Sequence, residues 1–209
     1  MRSTAMPTTN SPYFGSGQLT REQFLFYEMR TTARLLQETS SHKEIMDRIV
    51  NENLFQYPTE RSVRQMVRTC LKRLEALEDA ELVKAIAEQP SNTAKQICLY
   101  SMMKKYRLIW DFMITVIGSK YRQQDFSFSR RDVLAFFMQL QEQDSYVAGW
   151  SEGTVKRIVS VLINMMVENE YIDNFKSDRL NPVLISRILE DAIRESRQEI
   201  ALQAFNCFE

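Results

Sequence analysis

Thr59-Glu-Arg-Ser-Val-Arg-Gln-Met-Val-Arg-Thr-Cys-Leu-Lys-Arg-Leu-Glu-Ala-Leu77 is the stretch whose reading decides the fold class. Advancing about 100° per residue from Arg61 brings Arg64, Arg68 and Lys72 to within about 60° of it. Val63, Met66, Val67, Cys70, Leu71, Leu74 and Leu77 fall on an opposite arc, from about 140° to 280°. That is an amphipathic α-helix docked on a core. No acidic residue lies between Arg61 and Arg73. A one-signed face of this kind suits a phosphate backbone, and a merely solvated face is the plainer alternative.

Upstream, Thr20-Arg-Glu-Gln23 has the form of a capping box opening a helix to about Glu38. Ser41-His-Lys-Glu44 has the same form and opens a short helix to about Val50. After a turn at 51–58 comes the basic helix. Three helices with a turn before the third outline a helix-turn-helix-like unit over 19–90, with the third as reader. The connection of about eight residues exceeds the 3–4 residues of the strict motif. Residues 1–18 form a flexible arm anchored by Tyr13 and Phe14.

Downstream the sign reverses at Glu75, Glu78, Asp79, Glu81 and Glu88, and Pro90-Ser-Asn breaks the chain. A C-terminal helical unit spans 91–209, unless both units form one compact domain. One of its helices runs from Thr93 to about Tyr106. Another carries the apolar window Leu108–Ile117. A bilayer span needs about 20 apolar residues, and this window is half that and contains Asp111, so it reads as a core helix. Ser129-Arg-Arg-Asp132 starts a helix to about Gln143, burying Val133, Leu134, Phe136, Phe137 and Leu140. Ser151 starts a longer one to about Asn169. A short β-hairpin at 171–180 would follow it as in a winged helix, with Lys156 and Arg157 as contacts. Asn181-Pro182 opens the last main helix, to about Arg197. The expectation is an all-α, compact multi-helix bundle.

A second basic cluster is formed by Lys104, Lys105, Arg107, Lys120, Arg122, Arg130 and Arg131. Since 27 cationic and 27 acidic residues cancel, an anionic partner must be met by a local patch. Three separated cysteines and one histidine, His42, give no metal-ligand spacing. No phosphate loop, dinucleotide fingerprint or nucleophile-base pair is present. No catalytic residue, cofactor or metal is expected.

In order and spacing, the chain resembles the BrxA family of the BREX bacteriophage-exclusion systems. The resemblance is carried by Tyr13-Phe14-Gly15-Ser16-Gly17, Asn51-Glu-Asn-Leu-Phe55 and Leu71-Lys-Arg-Leu74. It continues through Lys105-Tyr106, Asp111-Phe112-Met113, Asp132 with Phe136-Phe137, and Trp150 with Thr154-Val-Lys156. It implies a fold related to the antitermination factor NusB, binding of double-stranded DNA, and work beside other BREX subunits in the cytoplasm. The candidate contacts are Arg61, Arg64, Arg68, Lys72 and Arg73 on the basic helix, with Lys104, Lys105, Arg107, Arg130 and Arg131 in the second cluster. The alternatives are an adaptor docking its basic helix on an acidic partner, and RNA binding in the manner of NusB.

Overall fold

The computed structural model describes residues 11–208. Within them the regular elements are all helical. After a 3-10 turn at Ser16–Thr20 come α1 (Phe26–Glu38), α2 (His42–Asn51), α3 (Glu60–Glu75), α4 (Ala80–Glu88) and α5 (Ser91–Lys105). A continuous helical run follows: α6 (Arg107–Asp111), a π-helical segment (Phe112–Gly118) and α7 (Ser119–Arg122). The chain closes with α8 (Arg130–Gln143), α9 (Ser145–Ala148), α10 (Glu152–Glu168), α11 (Arg187–Glu195) and a 3-10 segment, Glu199–Phe205.

Local chemistry sets most of the helix starts. Thr59 accepts from the Ser62 N–H, Ser41 from Glu44, Asp79 from Glu81 and Leu82, and Ser151 from Thr154. Ser129 and Asp132 close a reciprocal capping box on α8. Such caps supply acceptors for N–H groups that have no partner inside the helix. All seven apolar residues of the α3 arc are buried, each contributing roughly 1.5–3 kcal/mol. The Arg64–Glu60 pair on the opposite face contributes about 0.3–0.5 kcal/mol. The apolar face therefore sets the helix's orientation.

α3 packs on α1, α2 and α5, and α4 on α1 and α5, so the Gln89-Pro90 joint runs between helices that share one core. The π-helical segment packs against the closing 3-10 segment. A Cβ on Gly118 would lie 3.0 Å from the Gln203 Cβ, which is why glycine stands there.

Four expectations are corrected. The Thr20 box does not form: its hydroxyl donates to the Gly17 carbonyl, and α1 begins only at Phe26, after Leu25 in a left-handed conformation (φ 56°). There is no hairpin at 171–180. Arg179 instead forms a single antiparallel bridge with Ser127, and the Leu180 N–H donates to the Phe126 carbonyl at 2.7 Å. Asn181 caps no helix; its amide donates to the Glu170 carbonyl and the Asp173 carboxylate, and α11 starts at Arg187. Leu134 is exposed on α8 rather than buried.

Of the arm expected at 1–18, residues 1–10 lie outside the described residues. Beyond them Gly15 takes φ 87°, a conformation glycine adopts without steric cost. The Tyr13 hydroxyl donates to Asp111 at 2.9 Å, the Ser11 hydroxyl to Asp144 at 2.8 Å, and Phe14 lies against Tyr146. These contacts tie the 11–18 segment to the second half of the chain.

Candidate nucleic-acid interface

α3 sorts its cations into three kinds. Arg61, Arg68 and Lys72 are exposed and have no side-chain hydrogen bond or ion pair among the described residues. Arg64 is half-buried, and its Nε donates to Glu60 at 2.7 Å. Arg73 is fully buried.

The sequence groups Arg73 with the phosphate contacts, but the structure buries it: none of its surface is accessible. Its Nη2 donates to the Glu22 carbonyl at 2.7 Å, and its Nη1 to the Gln23 and Phe24 carbonyls at 2.8 and 3.1 Å. Those carbonyls belong to the irregular stretch ahead of α1, where no helix supplies donors, so the guanidinium fork does. The Glu22 carboxylate is buried beside it and accepts from the Tyr106 hydroxyl at 2.7 Å and from Gln65 at 3.2 Å. The guanidinium carbon lies 5.4 Å from the centre of the Tyr106 ring. Burial pushes the Tyr106 hydroxyl up to about 12, offset in part by Arg73, so at neutral pH it remains a donor. The buried cation is thus met by backbone carbonyls, and the buried carboxylate by a hydroxyl and an amide. Arg73 sits at about 120° on the same helical wheel, beside the apolar arc and away from the stripe. That angle was the signal in the sequence.

In front of this buried network lies a groove of about 1460 Å³. One wall is the start of α3 with Arg61, Gln65 and Arg68. The other is the 17–28 segment, and Lys95 of α5 and Glu168 of α10 close it. Arg21, exposed and without a side-chain partner among the described residues, faces the groove from the second wall. The carboxylates that line it are engaged. Glu28 accepts from the Tyr57 hydroxyl at 2.7 Å, and Glu168 pairs with Lys95 at 3.0 Å. Arg21, Arg61 and Arg68 have no ion pair among the described residues, while each lining carboxylate, Glu22, Glu28 and Glu168, already has a side-chain partner. Lys72 shares the stripe but lies outside the groove.

The second cluster is more thoroughly neutralised. Lys104 is 11% exposed and bonds Glu78 and the Leu77 carbonyl, each at 3.0 Å. Arg107 pairs with Asp111 at 2.8 Å, and Lys120 lies between Asp125 and Asp132 at 2.9 and 3.1 Å. The Ser127 hydroxyl, with Lys120, holds the Asp125 carboxyl down to about 2. Lys105, Arg130 and Arg131 remain exposed and have no side-chain partner among the described residues.

Arg21 and the exposed ring of Tyr27 on the groove's rim went unnoticed in the sequence. Nothing near Arg21 signals that it faces a helix 40 residues further on. Cys70 and Cys98 are buried, and burial pushes both thiols up, away from thiolate reactivity. Among the described residues no group of three His, Cys, Asp or Glu side chains is placed to hold a metal ion. Among the same residues no helix is long and apolar enough to cross a membrane.

A crystal structure of an uncharacterized protein from Magnetospirillum magneticum superposes with a TM-score of 0.76 at 22% identity, covering 90% of this chain and 96% of that one. That likeness establishes the fold. "BREX protein BrxA" of Paramagnetospirillum magneticum (strain ATCC 700264 / AMB-1) is 23% identical over 176 residues, 84% of this chain and 88% of the relative. The protein of the same name from Bacillus cereus (strain H3081.97) is 32% identical over 155 residues, 74% of this chain and 77% of the relative. The BrxA family model matches residues 15–197. With most of its length matched both by that model and by relatives bearing the family's name, the chain belongs to the BrxA family.

Proposed function

We propose that this protein is a component of a BREX phage-defence system that binds double-stranded DNA chiefly through its phosphates and performs no catalysis itself. It works in the cytoplasm beside other BREX subunits. One observation carries the reading: Arg61, Arg68 and Lys72 stand exposed and without internal partners on one face of α3, with Arg21 across the groove. Cations held by no carboxylate release counterions when they meet phosphates, and that release drives such binding. On this reading α3 acts as the third, reading helix of a helix-turn-helix-like unit, after α1 and α2. Arg64 contributes less, because Glu60 already engages it. Lys105, Arg130 and Arg131 extend the contact surface.

A salt titration of duplex binding tests this. Log affinity should fall linearly with log salt, and Arg61→Ala/Arg68→Ala should flatten the slope by up to about 1.8. An absence of binding at low salt would end the DNA reading, and an unchanged slope would move the site elsewhere. An adaptor role is the second reading; the apolar side chains exposed on α8, Leu134 and Met138, offer a partner subunit a surface. RNA binding in the manner of NusB shares the basic face and is separated by competition with duplex RNA.

A further inference from the structure

The groove differs from the rest of the basic surface in offering an aromatic face. Tyr27, in the first turn of α1, is 56% exposed, and its hydroxyl donates to the Leu54 carbonyl at 3.1 Å. That bond fixes the ring without covering it, and no other ring or cation lies against it among the described residues. The other aromatic linings are engaged. Tyr57 donates to Glu28 and meets Phe55 edge-on, while Phe26 lies against Phe24, Arg30 and Lys95.

A duplex keeps its base faces stacked inside and offers none of them to an exposed ring. An unpaired strand shows bases and phosphates together. A positively charged groove joined to an exposed ring is the arrangement that holds such a strand, since every base has a face to stack. At about 1460 Å³ the groove exceeds the roughly 300–1,000 Å³ of a small-molecule pocket, so it has room for more than one nucleotide. We propose that it receives an unpaired stretch of a nucleic-acid strand, with a base stacked on Tyr27 and the flanking phosphates met by Arg21, Arg61 and Arg68. The proposal rests on the nucleic-acid reading above and assigns that surface a second, distinct element of substrate.

The test compares the affinity of the full chain for a short perfect duplex, for the same duplex carrying a bulge of unpaired thymidines, and for the single strand. The bulged duplex should bind tighter than the perfect one by on the order of tenfold. Tyr27→Ala should abolish that preference and leave affinity for the perfect duplex unchanged, while Tyr27→Phe, which keeps the ring, should retain it. Arg21→Ala should weaken the single strand. Equal binding of bulged and perfect duplexes by the wild type overturns the groove proposal and leaves duplex binding standing. So does a preference that survives Tyr27→Ala. Displacement of the strand by poly-glutamate of equal charge overturns it as well, since charge alone would then suffice. Failure to bind any nucleic acid removes both readings.

Discussion

The stripe on α3 holds fewer cations than the cluster between Lys104 and Arg131, and the two differ in what surrounds them. On α3 the carboxylate Glu60 lies one turn before Arg64 and occupies it alone, leaving Arg61, Arg68 and Lys72 free. In the second cluster Glu78, Asp111, Asp125 and Asp132 fold back onto Lys104, Arg107 and Lys120. A partner gains little from a cation that must first release a carboxylate. Counting charges along a sequence therefore overstates the second region and understates the groove, where Arg21 arrives from a distant segment.

Three measurements can break or sharpen this contrast. The largest effect is expected within α3 itself. Arg73→Met leaves three carbonyls without their donor and should cost about 3–5 kcal/mol in urea unfolding. Arg68→Met, five residues earlier, should stay within about 0.5 kcal/mol. Equal costs for the two would mean that the division of α3 into a buried and a presented cation is wrong. Next, Lys105→Ala/Arg130→Ala/Arg131→Ala should flatten the salt slope of duplex binding by less than the about 1.8 expected for Arg61→Ala/Arg68→Ala. A larger loss would make the second cluster the main contact.

The smallest effect concerns the acidic side of that cluster. Burial opposes ionisation of Asp132, but Lys120 and the Ser129 N–H and hydroxyl outweigh it and hold the carboxyl below its usual range. Asp125 is held down to about 2. A depressed carboxyl stabilises the fold above its unfolded value and loses that contribution as the pH falls through the folded one. Asp132→Asn should therefore cost about 0.5 kcal/mol at pH 7. The difference from wild type should close as the pH is lowered below about 4, the range of a free carboxyl. A constant gap across that range would mean that the carboxylate's charge is immaterial there.

Features fixed by near neighbours were legible in the sequence. Ser41, Thr59, Ser129 and Ser151 each start a helix because a cap reaches only two or three residues ahead. The apolar arc of α3 and the all-helical class followed from periodicity. Features with remote partners were not legible. Thr20 looks like a cap, but the carbonyls of the stretch after it are bound by Arg73, about 50 residues on, and no helix starts there. Asn181 looks like a cap, but its amide is spent on the 170–173 turn. The strand-like segment near 179 found its partner at Ser127, which left one bridge and no hairpin. The candidate site divides in the same way: the wheel orders the cations within α3, while Arg21 and Tyr27 join them only through the fold.

The buried guanidinium also bears on how such sequences should drift. Three carbonyls met by one planar fork leave no room for lysine, whose single ammonium cannot reach the same acceptors in the same plane. Position 73 should thus vary among relatives as a core position does, changing together with positions 22 and 106, while positions 61 and 68 exchange arginine for lysine freely. A comparison of family members that scored every basic residue of α3 alike would report an invariant cationic helix and credit its ligand with a constancy owed to the interior.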